Sequence, residues 1–289
     1  MMPSVFVNHG GGPLPLLGQQ PNVASFLASY LKTLPSLPKA ILIITAHWIS
    51  SPRMSPSLSV SSSPTPLPLF FDYGGFPPQT YKYSVLNSGS PALSERIVNL
   101  LQFPSDGSLL PSIPVTLDAR RGFDHGVFVP SLLLDPSGSV PLVSLSLDGS
   151  LDPSLHIEIG RRLSPLRSDG VLIVASGSSF HNFETFFSAE GSASRRAGVA
   201  ASLSFDSWLR SVLLSSETSF DSKSMSMRQW RDDKENQSIL CHPNGKDEHF
   251  TPMFVAFGAG MGDTAKAVGD DGETCPLMGG VKMSNIQWG

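Results

Sequence analysis

The sequence predicts an α/β fold, one domain built on a central, mainly parallel or mixed sheet flanked by helices. Three observations predict it. Short apolar runs at Ser4–Val7, Ile41–Thr45, Val140–Leu147 and Val171–Ser176 have the length of buried strands. Segments of helical spacing separate them, and strand–helix–strand order implies parallel pairing. Three of the runs end at or near a histidine: His9, His47 and His181. In open α/β sheets, ligands bind in the crevice beyond the carboxyl ends of the strands. That edge is therefore predicted to carry a metal site or an acid/base site.

Each element follows in chain order. Ser4–Val7 is the first strand, and His9-Gly10-Gly11-Gly12-Pro13 is a turn of permissive backbone. Pro21–Leu34 reads as a helix with proline in its first turn and Val23, Phe26, Leu27, Tyr30, Leu31 and Leu34 on one face. Pro35 and Pro38 stop it, and the strand within Ala40–Ser50 completes a βαβ unit. Ser51–Pro68 is rich in serine and proline, with an alternation at Leu58–Val60 that fits an edge strand. Phe70–Tyr83 is too apolar for a solvated linker and is expected to fold over something. Pro91–Phe103 has helical spacing, and Pro114–Leu117 fits a short strand.

Asp118–Gly126 is a charged loop containing His125, and Val127–Leu134 is a helix that Asp124 is placed to cap. A strand at Val140–Leu147, a helix at Pro153–Leu166 and the strand leading to His181 follow. Ala193–Leu214 is a long helix carrying Trp208. Ser215–Asn244 is polar and mixed, and is expected to be a mobile loop or an insertion. Glu248–Phe257 leads into an apolar segment, and Val281–Trp288 is read as closing the sheet. The sequence has no internal repeat, so residues 1–289 are read as one domain.

Composition narrows the function. A chain of 289 residues can bury a sizeable core. Only 15% of it is charged, and 25 prolines and 26 glycines indicate long, defined loops around that core rather than wholesale disorder. A net charge of −4 and the absence of a basic stripe exclude a nucleic-acid binder. Two cysteines, Cys241 and Cys275, form neither a disulfide framework nor a CxxC zinc module, which suits a reducing, cytoplasmic setting. The N-terminus lacks the charged region of a signal peptide. No apolar run approaches the roughly 20 residues that span a bilayer, so a soluble protein is expected.

Five of the seven histidines flank apolar elements: His9, His47, His125, His181 and His249. Imidazole suits iron, zinc and copper, and it moves protons near neutral pH. His156 falls mid-helix and is expected at the surface, while His242-Pro243 reads as a loop histidine. Gly10–Gly12 lacks the Lys-Ser/Thr of a phosphate loop, so its glycines more simply let backbone approach the site. Asp118, Arg120, Arg121 and Asp124 suit either a substrate carboxylate or structural ion pairs. Phe71, Tyr73 and Phe76 suit either the wall of an aromatic-substrate pocket or core packing. Ser176-Gly177-Ser178 is not a nucleophile elbow.

Six segments share a further pattern: VNHGGGP, ITAHW, FDYGGFPPQTY, FDHGVFVPSLLL, GSSFHNF and CHPNGKDEHFTPMFVAFGAG. In that order, and over nearly the whole chain, they resemble the class III extradiol ring-cleavage dioxygenases, the superfamily of the protocatechuate 4,5-dioxygenase catalytic subunit. The likeness is greatest to the DOPA 4,5-dioxygenase-like branch. The resemblance implies that His9 and His47 bind a metal, with His249 as third ligand and Glu248 beside it as the alternative. It implies that His181 is the acid/base and that His125 contacts substrate or dioxygen. It further implies a non-haem Fe(II) enzyme that opens the ring of a DOPA-like catechol with O2 to give a semialdehyde. A zinc-dependent hydrolase-like enzyme on the same ligands and a non-catalytic metal- or phenol-binding relative are the competing readings. A bare binding site would not need the two additional imidazoles of His125 and His181.

Overall fold

The structure, a computed structural model, describes residues 1–50, 58–103, 111–233, 235–243, 245–269 and 280–289. The chain runs β1 (Ser4–Asn8), α1 (Pro21–Tyr30), β2 (Ala40–Ile49), β3 (Leu58–Ser61), α2 (Pro91–Gln102), β4 (Val115–Asp118), α3 (His125–Leu134), β5 (Leu142–Leu147) and α4 (Pro153–Leu163). It continues through α5 (Pro165–Ser168), β6 (Val171–Gly177), α6 (Phe183–Phe187), α7 (Ala193–Leu214), α8 (Phe220–Arg228) and α9 (Ser238–Cys241). It ends with α10 (Thr251–Gly260), β7 (Ala265–Val268) and β8 (Asn285–Trp288).

Among the described residues the strands form one sheet in the order β4-β3-β5-β2-β6-β1-β8-β7. The central four, β5, β2, β6 and β1, are parallel, while β8 joins β1 and β3 joins β5 in antiparallel fashion. The sheet is thus mixed, with a parallel centre. Its central strands β1, β5 and β6 are buried along their whole length, as strands covered on both faces must be. Alternate residues serve opposite faces. Ile41, Ile43, Leu172 and Val174 pack with α1 and α3, whereas Leu42, Ile44 and Ile173 pack with α2, α4 and α10.

Register places the site. Asn8 pairs with Gly177 and Thr45 with Ser176, so β1, β2 and β6 end together at one edge. Between Ile44 and Ile49 the pairing of β2 with β5 shifts, a bulge that spans His47. A bulge bends a strand and re-aims its side chains.

Several expectations are corrected. The Leu58–Val60 strand is not at the edge, because β4 pairs outside it. The C-terminal strand pairs with β1, and β7, absent from the sequence reading, forms that edge. Residues 215–244 are no simple loop: α8 and α9 form there, and Met227, Trp230 and Cys241 pack into the core beside Phe205 and Leu209 of α7. Lys234 and Asn244 of that stretch, Ser51–Ser57 of the serine/proline-rich segment, and Cys275 lie outside the described residues. Cys241 is buried, and burial pushes its thiol pKa up.

His156 is also corrected. It is fully buried, its Nδ1–H donating to the Asp152 carbonyl while Nε2 accepts from the Asp148 N–H. Wedged between the sheet and its neighbours, α4 buries most of its circumference, so a polar residue there needs local partners. His242 does lie in the bend that follows α9, but it is fully buried. It packs against Phe205, Trp230 and Phe250, with Nε2 bonded to the Ser179 carbonyl.

Candidate active site

All five histidines that flank apolar elements meet beyond the strand ends. His9 follows β1, His47 lies in the last turn of β2, His125 opens α3, His181 follows β6 and His249 precedes α10. Ring centroids of His47 lie 5.1 Å from His9, 3.9 Å from His125 and 4.7 Å from His249. His181 stacks on His249 at 3.5 Å.

The rings of His9, His47, His125 and His249 are aimed by what their Nδ1 atoms touch, whereas His181 Nδ1 has a carboxylate only at 3.6 Å and makes no hydrogen bond among the described residues. For His9 the chain of causes begins at Pro130, inside α3. Proline has no N–H, so the Gly126 carbonyl one turn earlier loses its helical donor. The Ser176 hydroxyl takes that place at 2.5 Å. A serine has one proton to give, so its oxygen must accept at the 2.9 Å contact with His9 Nδ1. Nδ1 of His9 therefore carries the hydrogen, and its Nε2 presents a bare lone pair.

Asp72 does the same for two rings. Its Oδ1 lies 2.8 Å from His125 Nδ1 and its Oδ2 3.3 Å from His47 Nδ1. Glu248 Oε1 lies 3.1 Å from His249 Nδ1 and 3.6 Å from His181 Nδ1. Hydrogen donation to a carboxylate fixes the tautomer and turns Nε2 outward, the usual support of a metal-bound imidazole. The result is two Nε2 atoms, of His9 and His47, 3.3 Å apart. When His47, like His9, carries its hydrogen on Nδ1 toward Asp72, no hydrogen lies between the two Nε2 atoms and a cation is the natural partner of their lone pairs. His9, His47 and His125 offer ligand atoms within 4.8 Å of one another, as do His181, Glu248 and His249.

Electrostatics keep the rings of His9, His47, His181 and His249 neutral. Burial, reinforced by the neighbouring imidazoles, holds His9 and His249 well below the usual histidine range. Burial brings His47 down to about 3 despite the opposing pull of Asp72. His181 falls to about 4 through burial and then the charge of Lys246. Burial raises Asp72, but the hydrogen bond and charge of His125 and the charge of His47 outweigh it and leave the carboxyl lowered. Metal ligation requires neutral imidazole, which this cluster supplies.

Close backbone approach shapes the site. A Cβ on Gly126 would lie 2.9 Å from His47 Cδ2 and 2.6 Å from Thr45 Oγ1, so glycine must follow His125. A Cβ on Gly177 would meet the His249 carbonyl at 2.1 Å, and that carbonyl accepts the Ser178 N–H at 2.8 Å. This contact ties the far end of the chain to the end of β6.

His47, His125, His181 and His249 line a cavity of about 730 Å3, while His9 stays buried beside His47. Tyr73 and Phe76 from the aromatic loop line one part, and Phe180, Phe183, Phe186 and Phe187 line another. Phe71 instead packs against Phe128 and the core. The loop thus folds over the site, but only part of its aromatic set faces the cavity.

The charged loop is structural. Arg121 pairs with the fully buried Asp124 at 2.9 Å, donates to the His47 carbonyl, and lies over Trp48. Asp118 accepts the backbone N–H groups of Arg120 and Arg121. Asp124 occupies the N-cap position of α3, yet its side chain caps nothing, because Thr45 and Arg121 occupy it. Sequence reading missed Asp72 and Ser176 as functional groups. Asp72 had a visible signal, a lone acid inside an aromatic, glycine-rich loop.

The family described as the catalytic LigB subunit of aromatic ring-opening dioxygenase matches residues 18–284. The chain is 34% identical over 268 residues to a 4,5-DOPA dioxygenase extradiol of Beta vulgaris, covering 91% of this chain and 88% of that one. It is 33% identical over 274 residues to a dioxygenase of Hapsidospora irregularis, covering 90% and 78%. A crystal structure of an uncharacterised Escherichia coli K12 protein superposes with a TM-score of 0.70 and 26% identity over 100% of both chains. The chain belongs to the LigB family of aromatic ring-opening dioxygenases. It is an extradiol ring-opening enzyme with a histidine-rich site compatible with a metal. The family match begins after His9, yet the fold brings His9 into the cluster.

Proposed function

We propose that the protein is an Fe(II)-dependent extradiol dioxygenase acting on a DOPA-like catechol. The observation that carries this reading is the approach of His9 Nε2 to within 3.3 Å of His47 Nε2, beside an aromatic-walled cavity that His47 lines. His9, His47 and His249 would hold the metal. His249 is favoured over Glu248 because the Glu248 carboxylate is engaged by His249 Nδ1 and so acts as its support. Iron, when bound, would supply Lewis acidity toward a chelated diol and a redox path between ring and dioxygen.

The protein's own groups then have definable tasks. Tyr73, Phe76 and the phenylalanines at 180, 183 and 186 flank the aromatic ring and exclude water. His181, held neutral by burial, is ready to take a hydroxyl proton from the substrate and to return it as the ring opens. His125, oriented by Asp72, stands beside His47 to contact substrate or dioxygen. Both oxygen atoms of O2 end in the product: the bond between a hydroxyl-bearing ring carbon and its hydrogen-bearing neighbour breaks, the first becomes a carboxylate and the second an aldehyde, and the other hydroxyl remains as an enol.

The test is anaerobic loading with Fe(II), addition of a catechol, then admission of air. A yellow ring-opened product with one O2 consumed per turnover is expected, and zinc-loaded protein should give none. Failure of every catechol in a panel that includes DOPA would overturn the proposal.

A further inference from the structure

Lys246 lines the same cavity, and the reading above leaves it without a task. Its two acidic sequence neighbours have other hydrogen-bond or ion-pair partners, although the Lys246 charge also reaches Glu248. Asp247 pairs with Arg231, and Glu248 receives His249 Nδ1. No ion pair of Lys246 with a carboxylate occurs among the described residues. The side chain is exposed, yet its charge is felt inside, being the strongest charge acting on His181.

Lys246 is also alone of its kind. Among the described residues that line the cavity, it is the only permanent cation. Arg121, the nearest candidate by sequence, is committed to Asp124, the Gly122 carbonyl and the His47 carbonyl. The remaining lining is aromatic, belongs to the histidine cluster and its carboxylates, or is uncharged: Gly10, Gly11, Gly12, Leu14, Gly74 and Ser178. A ligand whose diol meets the histidines and whose ring meets the phenylalanines has one place to put a negative charge.

We propose that Lys246 is a specificity-determining residue: its ammonium receives a carboxylate carried on the side chain of the catechol. The enzyme therefore selects catechol acids over neutral or cationic catechols. This inference rests on the reading of the cavity as a catechol site, and it adds the substrate's charge. Lysine acts here as a mobile point charge on a flexible stem, which suits side chains of different length.

The experiment measures binding to the Fe(II)-loaded protein by anaerobic calorimetry, with dihydrocaffeate, neutral ethylcatechol and dopamine as probes. Dihydrocaffeate is expected to bind about tenfold more tightly than ethylcatechol, the size of one charge-assisted hydrogen bond. Dopamine should bind more weakly than either. Lys246→Met should erase the preference, Lys246→Arg should restore most of it, and added salt should weaken it in the native protein. Equal affinities in the native protein, or a preference that survives in K246M, would overturn the assignment. Admission of air then separates the two claims. Preferential binding without ring opening would overturn the reaction and leave Lys246 standing, whereas ring opening without charge preference would do the reverse. If none of the probes binds, both fall.

Discussion

Replacing Ser176 with alanine tests the argument that the fold sets the tautomer of His9. The hydroxyl links the Gly126 carbonyl, freed by Pro130, to Nδ1 of His9 at 2.5 and 2.9 Å. S176A removes both bonds in a place where His9 is 1% exposed and Ser176 is fully buried. Leaving a buried donor and a buried acceptor unsatisfied costs about 1–3 kcal/mol for each group left unpaired. The loss would be moderated if His9 moved its proton to Nε2, where it would oppose metal binding. The account therefore expects loss of stability together with metal affinity weakened about 10- to 100-fold, the usual effect of removing a partner behind a metal-bound histidine. Denaturant titration of metal-free protein reads the first quantity, and competition with a chromophoric chelator reads the second. If S176A loses stability but binds metal within about twofold of the native protein, the hydroxyl is only packing and the tautomer argument fails.

Other outcomes follow from the same geometry. Asp72→Asn keeps the volume but offers an amide N–H where His47 Nδ1 also has one, so metal affinity should fall about 10-fold or more; unchanged affinity would show that Asp72 does not orient His47. His47→Ala should abolish stoichiometric metal binding, whereas His181→Ala should retain the metal and lose roughly 100- to 10,000-fold in turnover. Equal metal loss in the two variants would contradict their separate roles. Burial holds His242 at about 3, against 6.5 for the ordinary imidazole. Between those values the unfolded chain binds a proton that the folded chain refuses, so stability falls as pH drops through 6.5 toward about 3. In metal-free His242→Gln the slope should be shallower by up to about 1.4 kcal/mol per pH unit, and parallel curves for the two proteins would refute this.

What the sequence revealed depended on the range of the interaction. Strands such as Val171–Ser176 are buried on both faces and read as unbroken apolar runs, so the parallel centre of the sheet was legible. The histidines were legible because each ends such a run or opens a helix. The devices that aim them were not. Pro130 is visible as a proline in an apolar helix, but its consequence passes through Ser176, which meets the Gly126 carbonyl 50 residues away in the chain. The bulge at His47 arises from pairing with β5, and no local signal marks it. Helix α8 escaped because it buries only Ser224 and Met227, too few apolar positions to show a period. His156 was misread because the burial of α4 comes from its neighbours on both sides, which its own spacing does not record.

The central claim, that His9, His47 and His249 form a metal site with His125 and His181 beside it, is tested most directly by anomalous X-ray scattering from crystals of the Fe(II)-loaded protein. The account predicts a single iron with the Nε2 atoms of His9, His47 and His249 at about 2.0–2.2 Å, the range typical of imidazole ligation. Iron held by His9, His47 and His125, or by a Glu248 oxygen in place of His249, would contradict it.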